Sequence, residues 1–170
     1  MTSGDSAFLA APFKQCALVV HDLDAAVRRF VDQLGIGPWT GYLLGPPRLK
    51  DMLYLGEPVE FTFRHALAWD GETQFELIEP LEGPSIFADH LASHGEGLHH
   101  IGAYVPDHPA SVAAAHAAGF EPLQSARGFG AEGDGAFAYF QPPGGATIIE
   151  LIQAPRVRIE PEFVYPPDGN

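Results

Sequence analysis

The chain has 170 residues, 46% hydrophobic and 18% charged, enough to bury one good core or two small fused ones and too apolar for a disordered tail. Nine Lys and Arg against 22 Asp and Glu leave a formal charge of -13, a field that repels phosphate backbones and anionic lipid and so argues against nucleic acid and membrane surfaces as partners. A single cysteine, Cys16, excludes an internal disulfide, and with no secretory leader or long apolar run in sight a cytoplasmic protein is expected.

After an N-terminal extension over residues 1–12, residues 13–20 (FKQCALVV) read as a strand. Helical spacing follows at Leu23, Val27, Phe30, Val31 and Leu34, with Asp22 or Asp24 as cap and Gly35-Ile36-Gly37-Pro38 as the stop. Strands are predicted over 39–44, 59–69 and 74–78, with a loop containing Pro46, Pro47, Arg48 and Lys50 between the first two. Residues 81–96 read as a linker with Gly83, Pro84 and Gly95. The order then begins again: a strand over 98–105, an alanine-rich helix over 109–118 stopped at Gly119, and strands over 122–126, 136–140 and 146–152. From Pro155 onward the chain is proline-punctuated and extended.

The two halves also match in letters, QCALVVHDLDAAV against HIGAYVPDHPASV and TQFELIEP against TIIELIQA. A βαβββ order repeated at this period indicates a duplicated α+β module, with the first copy at 13–80, the second at 97–153 and a tail at 154–170. Superposing the copies sets Gln15 opposite His100 near the start of the first strands, and Glu76 opposite Glu150 inside the last strands. A lone strand glutamate ordinarily faces solvent. Two at equivalent places, each between apolar neighbours, call for another account: a sheet curled around these faces brings all four side chains to one point.

Other candidates carry less. His99 points to the opposite strand face from His100 and suits a packing or supporting role; His65 fits either a cavity wall or the surface. The remaining histidines match no zinc spacing, and no phosphate loop, dinucleotide fingerprint or nucleophile elbow is present. Residues 128–135 (GFGAEGDG) read as a loop at a cavity mouth.

The paired modules, the Gln and His on the first strands and the two Glu-Leu-Ile segments resemble the vicinal oxygen chelate superfamily, which includes glyoxalase I and methylmalonyl-CoA epimerase. GLHHIGAYVPD and FELIEP look most like the epimerase branch. The resemblance implies two tandem βαβββ modules forming a cupped, partly open barrel-like cavity, with one divalent metal held by Gln15, Glu76, His100 and Glu150. Gln15 stands where that branch has His, as in eukaryotic glyoxalase I. Two carboxylates, one amide oxygen and one imidazole suit Zn, Ni, Co, Mn or Mg; an iron dioxygenase wants two histidines and one carboxylate, which disfavours ring cleavage.

The expected activity is that of a metal-dependent isomerase, epimerase or lyase that removes a proton beside a carbonyl. By the same resemblance Glu150 is the base, and Glu60, on the segment before the Glu76 strand, is the candidate second acid. The expected partner is a small carbonyl or acyl compound, with the protein as a homodimer; Arg48, Lys50, Arg64 and Arg127 are candidates for a basic rim around an aromatic pocket. A metal-free binding protein of the bleomycin-resistance type is the alternative, and the full set of four ligand-type residues speaks against it.

Overall fold

Burial on both faces governs the strands. In the segment around Glu76, the carboxylate and Ile78 face one side while Leu77 packs on the other, and all three are buried. Strands of this kind occur where both sheet faces are covered. The computed structural model describes residues 11–145 and 147–167, so most of the expected N-terminal extension, Ala146 and residues 168–170 lie outside it. The first half contains β1 (Phe13–Val19), α1 (Leu23–Leu34), β2 (Trp39–Leu44), β3 (Lys50–Tyr54), β4 (Glu57–Pro58), β5 (Thr62–Asp70) and β6 (Thr73–Glu82). After α2 (Ile86–His94), the second half contains β7 (Gly97–Tyr104), α3 (His108–Ala117), β8 (Glu121–Phe129), β9 (Gly135–Gln141) and β10 (Ile148–Gln153), with β11 (Phe163–Tyr165) in the tail.

All the strands join one curled mixed sheet, a half-barrel, in the order β11-β2-β5-β6-β1-β7-β10-β9-β8-β3-β4. The expected α+β cup is therefore the observed architecture. Its centre is symmetric. The first strands, β1 and β7, run antiparallel side by side, and each pairs in parallel with the last strand of its own module, β6 or β10. The helices repeat too: Asp22 accepts a hydrogen bond from the Ala25 N–H at 2.9 Å and Asp107 from the Ala110 N–H at 3.0 Å, each cap worth about 1 kcal/mol. Gly35 ends α1 at φ 68°, the left-handed conformation glycine adopts without strain.

Three apolar clusters hold the sheet in its curl. α1 packs on the convex side of the first module through Leu23, Ala26 and Val27 against Trp39, Ala66 and Leu77. α3 covers the second module, where Ala115 sits with Ala138, Phe140 and Leu151. Inside the cup, Phe61, Phe63, Ile86, Phe87, Phe137 and Tyr139 fill one end and leave the other to polar groups.

Three segments depart from the sequence expectation. The loop after β2 carries the β3–β4 hairpin, which crosses to pair with β8 of the other module. The segment between the modules contains α2, capped by the Ser85 hydroxyl on the Ala88 N–H at 3.2 Å. Helices this short are marginal alone, and burial of Ile86 and Phe87 stabilises this one. The tail ends in β11, paired with Trp39–Gly41 at the edge of the sheet.

Candidate metal centre

Four adjacent strands deliver the four predicted side chains: Glu76 from β6, Gln15 from β1, His100 from β7 and Glu150 from β10. Register explains their convergence. Ala17 lies beside both Glu76 and His100, and Gly102 beside both Gln15 and Glu150. The small residues leave room for the long ones. A Cβ added at Gly102 would collide with the Gln15 side chain, so this glycine forms part of the cradle. Glu76, His100 and Glu150 are buried, and each offers a ligand atom within 4.8 Å of the other two.

The donor atoms are oriented for a cation. Gln15 donates from Nε2 to Gln74 Oε1 at 3.1 Å, and Tyr104 donates its hydroxyl to the same oxygen at 2.5 Å. This leaves Gln15 Oε1 buried and without a hydrogen-bond partner, as is Glu76 Oε2. A buried acceptor without a donor is costly, and a divalent cation would satisfy both oxygens. The residues present therefore fit one such ion.

His100 is aimed by the histidine beside it. His99 Nε2 lies 3.3 Å from the Ile86 carbonyl oxygen, to which it can only donate. His99 Nδ1 is then bare and accepts from His100 Nδ1–H at 2.8 Å, which turns His100 Nε2 toward Glu150 Oε2 at 3.2 Å and Glu76 Oε2 at 3.6 Å. Support of this kind sets the tautomer of a ligating imidazole. Burial depresses His99 to a pKa of about 3 and keeps it neutral. Burial also works against a charged His100, but the hydrogen bond to Glu150 and the nearby Glu76 carboxylate outweigh it and raise its pKa to about 9. A cation held by His100 Nε2 would have to displace that proton.

The two carboxylates differ. Burial would raise both. The His100 and His65 imidazoles overcome it at Glu76 and hold its pKa low, His100 as an ion pair at 3.6 Å and His65 through a hydrogen bond, Nδ1 lying 2.6 Å from Glu76 Oε1. At Glu150 burial prevails over the hydrogen bonds from His100 and Tyr139, and its pKa is raised.

His65 thus lies in the cavity wall, together with Phe63, Leu67, Tyr139 and Ile152. His99 does support the site, but not from the opposite face that alternation implies: the register with β1 shifts at this point, and its ring packs on Phe87 with Nδ1 2.8 Å from His100. Gln74 and Tyr104 also belong to the site, on the inner face where alternation places them with Glu76 and His100. Glu60 is not brought to the site: it is exposed between β4 and β5 and is not among the residues that line the cavity. It precedes β5, whose register shifts between Thr62 and Phe63, so the inward alternation of Phe63, His65 and Leu67 does not extend to it. None of the basic residues expected at a rim, Arg48, Lys50, Arg64 and Arg127, lines this cavity. Arg64 is engaged by Asp24, Glu79 and Glu162, and Arg127 by Asp51.

Residues 14–140 match the family model of the Glyoxalase/Bleomycin resistance protein/Dioxygenase superfamily, and the chain belongs to that superfamily. The structure is similar to methylmalonyl-CoA epimerase from Mycobacterium tuberculosis, with 21% identity over 85% of this chain and 89% of that one and a TM-score of 0.60. A methylmalonyl-CoA epimerase in complex with methylmalonyl-CoA and NH4+ matches with the same identity and TM-score over 87% of this chain and 97% of that one. A hypothetical protein from Bacillus halodurans matches at 23% identity and a TM-score of 0.54, over 85% and 95%. No curated protein matches the sequence. At these identities the likeness shows a shared fold, and function must come from the site itself. Among the described residues no helix is long and apolar enough to cross a membrane.

Proposed function

We propose that this protein is a metal-dependent isomerase, epimerase or lyase that removes the proton next to a carbonyl of a small substrate. The observation that carries this reading is the buried cluster of Glu76, His100 and Glu150, with the partnerless Gln15 oxygen in the same cavity. Gln15, Glu76, His100 and Glu150 would hold one divalent ion, which would supply Lewis acidity toward the substrate oxygens. Glu76, fixed by His65 and His100, keeps its charge and its position. Glu150 takes the proton: its carboxylate oxygen accepts it from the carbon, and the electron pair left behind moves onto the carbonyl oxygen. Since Glu60 stands outside, His65 is the wall residue to examine for returning a proton from the side of the first module.

Proton exchange in deuterated water, followed by NMR with a panel of thioesters and hydroxyketones, tests the proposal. Metal-loaded protein should exchange the α-proton, and Glu150→Gln should stop the exchange. Tight binding of panel members without exchange would instead identify a sequestering protein of the bleomycin-resistance type.

A further inference from the structure

The tail does more than end the chain. Beyond β10 it runs across the mouth of the cup and is fastened on both sides. On the second-module side, Arg156 pairs with Glu132 at 2.8 Å and Asp134 at 2.9 Å, and the Ala131 N–H donates to the Val157 carbonyl at 2.8 Å. On the first-module side, the Glu162 N–H donates to the Gly41 carbonyl at 2.8 Å, the Glu162 carboxylate pairs with Arg64 at 3.2 Å, and β11 adds to β2. Between these anchors Arg158 lies at the cavity mouth. It lines the same cavity as Gln15, Glu76 and Glu150, with its guanidinium 5.9 Å from the centre of the Tyr42 ring.

Three facts make Arg158 informative. It is the one Lys or Arg among the described residues that line this cavity. In a chain with 22 acidic and nine basic residues, it forms no ion pair with a described carboxylate, whereas Arg156 and Arg64 on the anchors do. And the strap that carries it lies beyond residues 14–140, the span of the family match.

We infer that Arg158 is a specificity residue that receives a carboxylate of the substrate at the cavity mouth, so that the substrate is a compact carbonyl compound with a single carboxylate. This rests on the reading of the cavity as the reacting site and deepens it. A guanidinium matches a carboxylate in two-point geometry, and partial stacking on Tyr42 restrains it. Phe63, Leu67, Phe129 and Phe137 line the same cavity and would pack against the carbon skeleton between that carboxylate and the carbonyl. A nucleotide-bearing thioester would need several cations at the mouth. Here the cavity lining supplies one arginine, in a chain of net charge -13.

The test is calorimetric binding of 4-oxopentanoate, its methyl ester and its coenzyme A thioester, which share one acyl group, to metal-free and manganese-loaded protein. The acid should bind best in both forms. Arg158→Ala should weaken the acid by about tenfold or more, as for loss of a charge-assisted hydrogen bond, and leave the ester unchanged; Arg158→Lys should restore part of the preference. An acid preference that survives in Arg158→Ala, equal binding of acid and ester, or tighter binding of the thioester would overturn the inference. Failure of manganese to bind, with the Arg158-dependent preference intact, would instead count against the metal reading alone.

Discussion

The two modules supply the same backbone and different chemistry. The pairing that sets Leu67 beside Glu76 in the first module sets Tyr139 beside Glu150 in the second, and where the first presents His65 the second presents Phe137. Glu76 is therefore held by imidazoles alone and stays anionic, whereas Glu150 is shared between His100 and the Tyr139 hydroxyl and is the easier of the two to protonate. On the proposed reading, unlike neighbours at matching inward positions suit Glu76 to anchor the ion and Glu150 to carry the proton.

The sharpest way to break this comparison is to change the two glutamates alike. Glu150→Gln should lower proton exchange by about a thousandfold, as for loss of a general base, and excess metal should not restore it. Glu76→Gln should mainly weaken metal affinity, so that activity returns as metal is titrated in. Equal behaviour of the two variants would refute the division of roles.

The cradle itself comes next. Gln15→Leu should lose much of the metal affinity, and Gly102→Ala should do the same by displacing the Gln15 side chain. Gln15→His should keep metal but shift preference toward Zn, Ni or Co. Competition titrations read all three, and a Gln15→Leu protein that binds metal like the parent would remove Gln15 from the ligand set.

A smaller effect is expected from Tyr139→Phe. Its hydroxyl lowers the pKa of Glu150, so the variant should move the acidic limb of the exchange profile to higher pH. Leu67→Phe, the matching change beside Glu76, should leave that limb in place.

The smallest effect concerns stability of the metal-free protein. His99 folds with a pKa of about 3, so the unfolded chain takes up a proton below about 6.5 that the folded one refuses, and stability should fall from pH 6.5 toward 3. His100 is raised to about 9; its contribution is full below about 6.5 and is lost as pH rises through 9. Thermal melts should therefore peak near neutrality, and added metal should flatten the alkaline side.

Much of this was legible in the chain because a duplication writes its information twice. Neither glutamate alone distinguishes an inward carboxylate from a solvated one, but Glu76 and Glu150 at equivalent places do, as do Gln15 and His100. Features written once were harder to read. The β3–β4 hairpin exists through pairing with a distant β8, α2 through burial of Phe87, and the strap through anchors far apart in sequence. Glu60 falls outside because the strand expected over 59–69 begins only at Thr62, with a register shift at its start, so alternation does not fix a residue before it. Arg158 has no counterpart in the other module from which to infer it.

The most direct measurement is anomalous scattering from crystals of the manganese-loaded protein. The account predicts one ion, with Gln15 Oε1, Glu76, His100 Nε2 and Glu150 each about 2.0 to 2.3 Å away. An ordered structure that takes up no ion between these side chains, or that holds it elsewhere, would contradict it.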